Sequence, residues 1–199
     1  MRDLRMKKLR AFSLLAALLV PALLLSTNGV QAQGVGKYKR TVERYVIPDV
    51  VLVNQNGVEV KLATLLNSKK VAMLDFFYTT CPTVCPVTTA IIYNFQNKLG
   101  PESDDVQIVS ITVDSENDTP EKVKEYLKRY NAKPDWQGLT GPRDQIAKAA
   151  KALDAFTVEK MAILPLVQLY SPADERWVRI SGFIGTSALV AEYRKVLKP

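Results

Sequence analysis

Two cysteines, Cys81 and Cys85, are the residues of this chain whose type and spacing point most directly to chemistry. They lie in the stretch YTTCPTVCP, between an apolar run and a helical pattern. Cys81 therefore falls near a helix N-terminus, where unpaired backbone donors and the helix dipole stabilise a thiolate. The i, i+4 spacing places both sulfurs on one side of the first turn, and Pro86 disturbs that turn enough for a reversible disulfide. The segment predicts a redox pair with Cys81 as nucleophile; two inert, buried thiols are the alternative.

The chain contains no histidine, which narrows its chemistry further. Ser/His/Asp and Cys/His catalysis and histidine-based zinc sites are excluded, because each requires an imidazole. The two thiols are too close in sequence to join distant parts of a fold. The pair is therefore predicted to react rather than to serve as a staple.

A strand, helix and strand must position the cysteines. The run from Val71 to Tyr78 is almost wholly apolar, as in a central strand covered on both faces. After Cys85, apolar residues recur in steps of four, at Val87, Ile91, Phe95 and Leu99, and predict one buried helix face. Residues Val106 to Val113 predict a second buried strand, which completes a βαβ unit with a right-handed crossover.

The remaining patterns extend this unit into an α/β domain. A hairpin is predicted at the Asn56-Gly57 turn, because Asn-Gly supplies the positive φ values of a tight turn. Thr119 and Pro120 begin a helix, with a capping hydroxyl and a proline at the first position. Further helices are predicted at Leu62 to Leu66, Asp144 to Phe156 and Leu189 to Val196, and an antiparallel strand pair at Leu164 to Tyr170 and Trp177 to Ile180. Together these elements predict a mixed central sheet with helices on both faces and an N-terminal β-hairpin extension.

The N-terminal segment has the layout of a secretory signal. Five basic residues precede a long apolar stretch, and small residues end at Ala32, so residues 1–32 predict a signal peptide, with an uncleaved membrane anchor as the alternative. Residues 33–45 are interpreted as a linker and residues 46–199 as the domain. Either interpretation of residues 1–32 places the domain outside the cytoplasm, in the periplasm or at the outer face of the membrane. The remaining chain has 22 basic and 19 acidic residues, and this balance predicts no nucleic-acid partner.

Three motifs together resemble the Sco/SenC family, the assembly factors for the binuclear copper centre of cytochrome oxidase. Phe76 to Pro86 is similar to the family's Cys-Pro-x-x-Cys-Pro copper motif. Val113 to Glu121 is similar to its Asp-Pro-x-x-Asp-Thr-Pro-Glu stretch, and Leu139 to Gly141 to its Leu-Thr-Gly element. The resemblance covers the chain from about Ile47 onward and implies a thioredoxin-like fold.

The chain departs from this family at the third copper ligand. The family binds copper through its two cysteines and a histidine, which the resemblance places near Ile163, where this chain has none. Two thiolates can still hold Cu(I), a soft ion. The third ligand would then come from a partner protein or from Met161, although a methionine beside a buried strand is more often part of the core.

Three other residues resemble elements of thioredoxins or border the pair. Asp75 lies six residues before Cys81, the spacing of the buried thioredoxin aspartate, and is predicted to relay a proton to or from Cys85. An exposed aspartate, or one paired with a lysine, is the alternative. Pro165 resembles the cis proline that frees backbone for a partner chain, or is an ordinary trans proline at a strand start. Asp114 borders the site or merely ends its strand.

Thiol:disulfide exchange with a cysteine-containing client, such as an oxidase subunit, and a thiol donor is the first functional hypothesis. It makes the chain a thiol:disulfide oxidoreductase that needs no cofactor. The second hypothesis is a copper chaperone that delivers Cu(I). A peroxidase is disfavoured, because Tyr78 and Leu74 stand where peroxiredoxins carry threonine or serine and proline. A structural module with an incidental disulfide is the remaining alternative.

Overall fold

The structure is a computed structural model that describes residues 38–156 and 163–198. These residues form an eight-stranded mixed sheet in the order β1-β8-β7-β4-β5-β6-β2-β3. The strands are β1 (Lys39–Glu43), β2 (Val51–Asn54), β3 (Glu59–Lys61), β4 (Val71–Phe77), β5 (Val106–Thr112), β6 (Gln137–Thr140), β7 (Leu166–Ser171) and β8 (Arg176–Ser181). The helices are α1 (Leu62–Leu66), α2 (Val84–Leu99), α3 (Pro120–Arg129), α4 (Arg143–Ala152) and α5 (Thr186–Val196), and a 3-10 helix spans Gly100–Asp105. The predicted signal peptide and Met161 lie outside the described residues.

Strand β4 is the central strand that the apolar run predicts. All seven of its residues are buried, and it pairs in parallel with β5 and antiparallel with β7. Its odd-numbered side chains face α2 and α3, since the Phe77 ring lies 5.0 Å from that of Tyr126 on α3. Its even-numbered side chains face α4: Gln168, opposite Leu74, donates to the carbonyl oxygen of Leu153. The helices therefore cover both faces of the sheet, as predicted.

The N-terminal hairpin is confirmed, but its turn differs from the predicted one. Gly57 has a φ of +77°, whereas Asn56 does not enter the positive-φ region. The backbone N–H of Gly57 donates to the Asn54 carbonyl, and the Asn54 side chain accepts from the N–H groups of Asn56 and Val58. One left-handed glycine after an ordinary turn thus closes the hairpin.

The predicted linker over residues 33–45 is wrong for part of its length. Residues Lys39–Glu43 form the edge strand β1, which pairs antiparallel with β8 from Lys39↔Ser181 to Glu43↔Trp177. The side chain of Arg40 also forms a 2.7 Å ion pair with the buried Glu192 of α5. A polar edge strand has one strand partner and no apolar run, so its sequence does not reveal it.

The helix predictions hold except in detail. Thr119 caps α3 through its hydroxyl, as predicted, and α4 ends at Ala152, earlier than predicted. On α2 the apolar steps mark the buried face only in part: Phe95 and Leu99 are buried as predicted, but Val87 is 42% exposed. Thr88, Thr89 and Gln96, which the steps do not include, are buried as well. Thr89 is hydrogen-bonded to the Tyr126 hydroxyl at 2.8 Å, so its polar group is satisfied inside the protein. No helix in the described ranges combines the length and apolar character needed to cross a membrane.

Candidate functional site

The cysteine pair lies where β4 passes into α2. The backbone N–H of Cys81 donates to the Tyr78 carbonyl at 3.1 Å, which closes a turn before α2 begins at Val84. Cys85 lies in the first turn of α2, and its N–H donates to the Cys81 sulfur at 3.4 Å. Both residues are thiols, 6% and 2% exposed, with the exposed residues Thr80, Pro82 and Thr83 around them. The prediction that the two sulfurs share the N-terminus of one helix is therefore consistent with this geometry.

The two thiols have opposite electrostatic environments. Burial raises the pKa of Cys81, but hydrogen bonds from the Cys85 thiol, from the N–H groups of Thr83 and Cys85 and from the Tyr78 side chain outweigh it, so the pKa is lowered overall. Burial and the hydrogen bond to the Cys81 sulfur raise the pKa of Cys85, and the charges of Cys81 and Asp75 raise it further. Cys81 is therefore the better thiolate, and Cys85 holds its proton.

Tyr78 belongs to the site, although its sequence pattern does not single it out for this role. Tyr78 is 3% exposed, and its carbonyl accepts from the Cys81 N–H at 3.1 Å. Burial, the nearby Cys81 thiol and the charges of Cys81, Cys85 and Asp114 raise the pKa of Tyr78 to about 12. The phenol consequently stays protonated at neutral pH.

Asp75 lies buried beneath the pair on β4, with 1% of its surface exposed. The alternative of an exposed carboxylate is therefore wrong, whereas pairing with a lysine stays an open alternative. Its Oδ1 accepts a short hydrogen bond from the Ser110 hydroxyl, and Ser110 in turn accepts from the Trp136 indole N–H at 2.8 Å. Burial raises the pKa of Asp75 to about 7, although the Ser110 bond lowers it. The carboxyl can thus gain or lose a proton near neutral pH.

Asp118 connects the cysteine loop to the loop after β5. It is 1% exposed, and its carboxylate accepts from the backbone N–H of Thr79 at 2.9 Å and from the hydroxyls of Thr79 and Thr112. The Thr140 hydroxyl donates to its carbonyl oxygen at 2.6 Å. These bonds tie the start of the cysteine loop to β5 and β6, across 39 residues of sequence between Thr79 and Asp118.

Replacing Asp118 by asparagine is expected to destabilise the protein by about 2–3 kcal/mol, because the amide presents N–H groups where three donors need an acceptor. Urea unfolding of the reduced protein measures the loss. Glu116→Gln is the matched control, since Glu116 pairs with Arg143 at 3.1 Å while both side chains are mostly exposed, and it should cost under about 0.5 kcal/mol. Equal losses in the two variants would show that Asp118 does not brace the loop.

The other predicted residues have mixed outcomes. Asp114 is 6% exposed and borders the site, because its charge acts on Tyr78, but it also closes its own turn by accepting from Asn117 Nδ2 at 3.0 Å. Pro165 immediately precedes β7, and continuing the β4–β7 register places it opposite Phe77, at the cysteine end of the sheet. Its predicted cis peptide and its role in partner docking stay predictions.

The donor atoms of the site suit a soft metal ion only in part. Two sulfurs in hydrogen-bond contact are ligands that Cu(I) accepts. Within the described ranges, no three or more histidine, cysteine, aspartate or glutamate side chains cluster in a way that could hold a metal ion. A third protein ligand from this group is therefore missing among those residues.

A mixed sheet with a cysteine pair where a central strand passes into a helix defines the class of thioredoxin-like proteins, and solved structures of Sco proteins share this fold. Residues 39–162 match the SCO1/SenC family, and the chain belongs to that family.

Three matches illustrate the similarity. The SCO1 protein homolog of Bacillus subtilis (strain 168) is 39% identical over 98 residues, which are 49% of this chain and 50% of that protein. The chain thus spans about half the length of the curated relatives it matches. The structure of Bradyrhizobium japonicum ScoI with copper bound is 28% identical, with a TM-score of 0.62, and the match covers 76% of this chain and 99% of that one.

The structure of BsSco is 26% identical, with a TM-score of 0.66, and the match covers 78% of this chain and 95% of that one. BsSco is described as a member of the Sco family of cytochrome c oxidase assembly proteins and as containing a disulfide switch.

Proposed function

We propose that this protein performs thiol:disulfide exchange outside the cytoplasm, in the assembly of the copper site of cytochrome c oxidase. The Cys81 thiolate attacks a client disulfide, forms a mixed disulfide and releases one client thiolate, which takes up a proton. Cys85 then attacks the Cys81 sulfur, forms the intramolecular disulfide and releases the second client thiol. The client gains two electrons and two protons, and the pair loses them. A thiol donor later restores the dithiol.

The observation that carries this proposal is the opposite displacement of the two thiol pKa values at one helix N-terminus. The lowered pKa of Cys81 supplies the attacking thiolate, and the raised pKa of Cys85 keeps the second thiol protonated until the mixed disulfide forms. An inert structural pair needs no such asymmetry.

Asp75 supplies the base for the second half of the reaction. Cys85 must lose its proton before it can attack, and its raised pKa makes this step slow without an acceptor. The Asp75 carboxyl is close enough to act electrostatically on Cys85, and its pKa of about 7 suits it to take that proton and to release it later.

The family supports this choice of client. BsSco belongs to the cytochrome c oxidase assembly proteins, and the copper-site cysteines of an oxidase subunit must be reduced before they can bind metal. The N-terminal pattern of basic, apolar and small residues supports a site of action on the outer side of the membrane.

The proposal is tested by mixing the reduced protein with a peptide that carries two cysteines joined in a disulfide. We expect stoichiometric release of two peptide thiols and appearance of the Cys81–Cys85 disulfide, read by mass after alkylation, at a rate well above that of glutathione at equal thiol concentration. Cys81→Ser is the control without the proposed attacking thiolate. A wild-type rate no higher than that of glutathione would contradict the proposal.

A second candidate is a copper chaperone in which Cys81 and Cys85 hold Cu(I) as cargo. The copper-bound ScoI structure and the two adjacent sulfurs favour it, with the third ligand supplied by a partner or by Met161. Loading the protein with Cu(I) and adding a competing chelator tests this candidate. Stoichiometric retention that Cys81→Ser abolishes supports it, and a further loss in Met161→Leu would identify the third ligand. Immediate loss of copper would exclude tight binding by this chain alone, including any completed by Met161.

A further inference from the structure

The cysteine loop, residues 78–83 between β4 and α2, is anchored from outside its own segment by Asp118. The Asp118 carboxylate accepts from the backbone N–H of Thr79 at 2.9 Å through Oδ2, and from the Thr79 hydroxyl through Oδ1. Both oxygens therefore bind one residue, which lies two positions before Cys81. Asp118 is 1% exposed, so water does not compete strongly for these bonds.

Asp118 is itself held on several sides, so it can act as a rigid anchor. Its Oδ2 also accepts from the hydroxyl of Thr112 at the end of β5, and its backbone N–H donates to the Asp114 carbonyl at 2.9 Å. Its carbonyl accepts from the Thr140 hydroxyl on β6 at 2.6 Å. The Thr79 bonds thus connect the cysteine loop to two strands of the sheet.

We propose that Asp118 is a positioning residue for the disulfide chemistry: by holding Thr79, it keeps the Cys81 sulfur beside Cys85 in the reduced protein. This inference rests on the proposed exchange. The Cys85 N–H donates to the Cys81 sulfur at 3.4 Å, a contact that requires the loop to hold Cys81 over the first turn of α2. A pair that is preorganised in this way closes to a disulfide at a smaller cost in conformational entropy.

The two redox states depend on this anchor to different extents. In the disulfide form, the Cys81–Cys85 bond itself restrains the loop, so loss of the Thr79 bonds gives the loop little new freedom. In the reduced form no covalent bond joins the sulfurs, and a loop without its anchor gains conformational entropy. This gain favours the dithiol. Loss of the anchor should therefore make the disulfide easier to reduce, whereas loss of a residue that stabilises both forms equally would not.

The measurement is the equilibrium between the protein and glutathione redox buffers. Two glutathione thiols reduce one Cys81–Cys85 disulfide, which yields one glutathione disulfide and two protein thiols. After acid quenching and alkylation, mass spectrometry gives the equilibrium constant for reduction. We expect Thr79→Val, which removes the hydroxyl donor and keeps the backbone donor, to raise this constant roughly threefold. Asp118→Asn should raise it roughly tenfold, the effect of freeing about one residue of backbone.

Thr88→Val is the matched control. Thr88 is buried in α2, and its hydroxyl donates to the Val84 carbonyl at 3.1 Å, so the variant loses a hydroxyl near Cys85 but no bond to the cysteine loop. It should leave the constant unchanged. Thr79→Ser keeps the hydroxyl donor and should restore the wild-type value. An equal rise in Thr79→Val and Thr88→Val would overturn the role of Asp118, as would a constant for Thr79→Val at or below that of wild type.

Urea unfolding of Thr79→Val in both redox states tests the same asymmetry without glutathione. The disulfide form should lose more free energy of unfolding than the reduced form, because only the reduced form recovers entropy from the freed loop. Equal losses in the two forms would contradict the inference and leave the exchange intact. Failure of the wild-type pair to form a disulfide in any buffer would instead overturn the exchange itself.

Discussion

Replacing Asp75 by asparagine is expected to stabilise the reduced protein by about 2–4 kcal/mol above pH 7. Burial raises the pKa of Asp75 from 3.8 to about 7 in the folded protein. Between these two pH values the folded state binds more protons than the unfolded state. The contribution of Asp75 to the free energy of unfolding is therefore greatest below about pH 4, falls as the pH rises to about 7 and stays low above it. Asparagine does not titrate and avoids this loss, and its carbonyl still accepts from the Ser110 hydroxyl.

Urea unfolding of wild type and Asp75→Asn at pH 4.5 and pH 8.5 checks this expectation. The free energy of unfolding of Asp75→Asn should exceed that of the wild type by roughly 3 kcal/mol more at pH 8.5 than at pH 4.5. Asp104→Asn is the control, because the Asp104 side chain is 78% exposed and its pairing with Lys133 is long, at 3.8 Å. A gap that does not change with pH would mean that Asp75 is not a protonated, buried carboxyl near neutrality.

The same substitution should impair the proposed exchange. A carboxyl that takes part in the reaction would show this loss, whereas a buried carboxyl with no part in it would not. Without the Asp75 base, resolution of the mixed disulfide by Cys85 should slow roughly a hundredfold at pH 7, and the deficit should shrink at higher pH as hydroxide removes the thiol proton. Alkylation of Cys81, which requires no such base, should change little. Rapid mixing with a disulfide peptide measures both steps. An unchanged resolution rate would remove Asp75 from the mechanism.

The core of the site was predictable from local patterns. An apolar run followed by a helical pattern is enough to place Cys81 at a helix N-terminus, and a position inside such a run favours burial of Asp75. The helical steps after Cys85 predicted α2 itself correctly. They identified only part of its buried face, because Thr88 and Thr89 are polar residues whose hydroxyls find partners inside the protein.

The rest of the site depends on contacts that local patterns do not contain. Asp118 reaches Thr79 across 39 residues, and no periodicity in either segment records that approach. Strand β1 pairs with β8, which lies more than a hundred residues away, and is polar because it is an edge. Strand β6 has four residues, two of them Gln137 and Gly138, which rarely indicate a strand. The place of Tyr78 beside the pair depends on the turn in which its carbonyl accepts from the Cys81 N–H, and the sequence used Tyr78 only to disfavour a peroxidase.

Cys81 and Cys85 should differ at least about a hundredfold in alkylation rate at pH 7, the largest kinetic difference expected for this protein. Iodoacetamide reacts with the thiolate, and the structure lowers the pKa of Cys81 and raises that of Cys85. Cys85→Ser should therefore react rapidly, because the serine hydroxyl replaces the thiol as a donor to the Cys81 sulfur. Cys81→Ser should react slowly, since burial and the charge of Asp75 still raise the pKa of Cys85 after the Cys81 charge is gone.

Unfolding is the control that assigns this difference to the fold. In concentrated denaturant the two variants each carry one exposed thiol of ordinary pKa, so their alkylation rates should converge. In the folded state, Cys85→Ser mixed with a disulfide peptide should accumulate the mixed disulfide through Cys81, since no second thiol is present to resolve it. Equal folded-state rates would contradict the assignment of Cys81 as the more reactive thiol. Faster alkylation of Cys85 would reverse the roles of the two cysteines, and the exchange would then have to begin at the more deeply buried sulfur. That order conflicts with the 2% exposure of Cys85, because an attacking sulfur must reach a disulfide on another molecule.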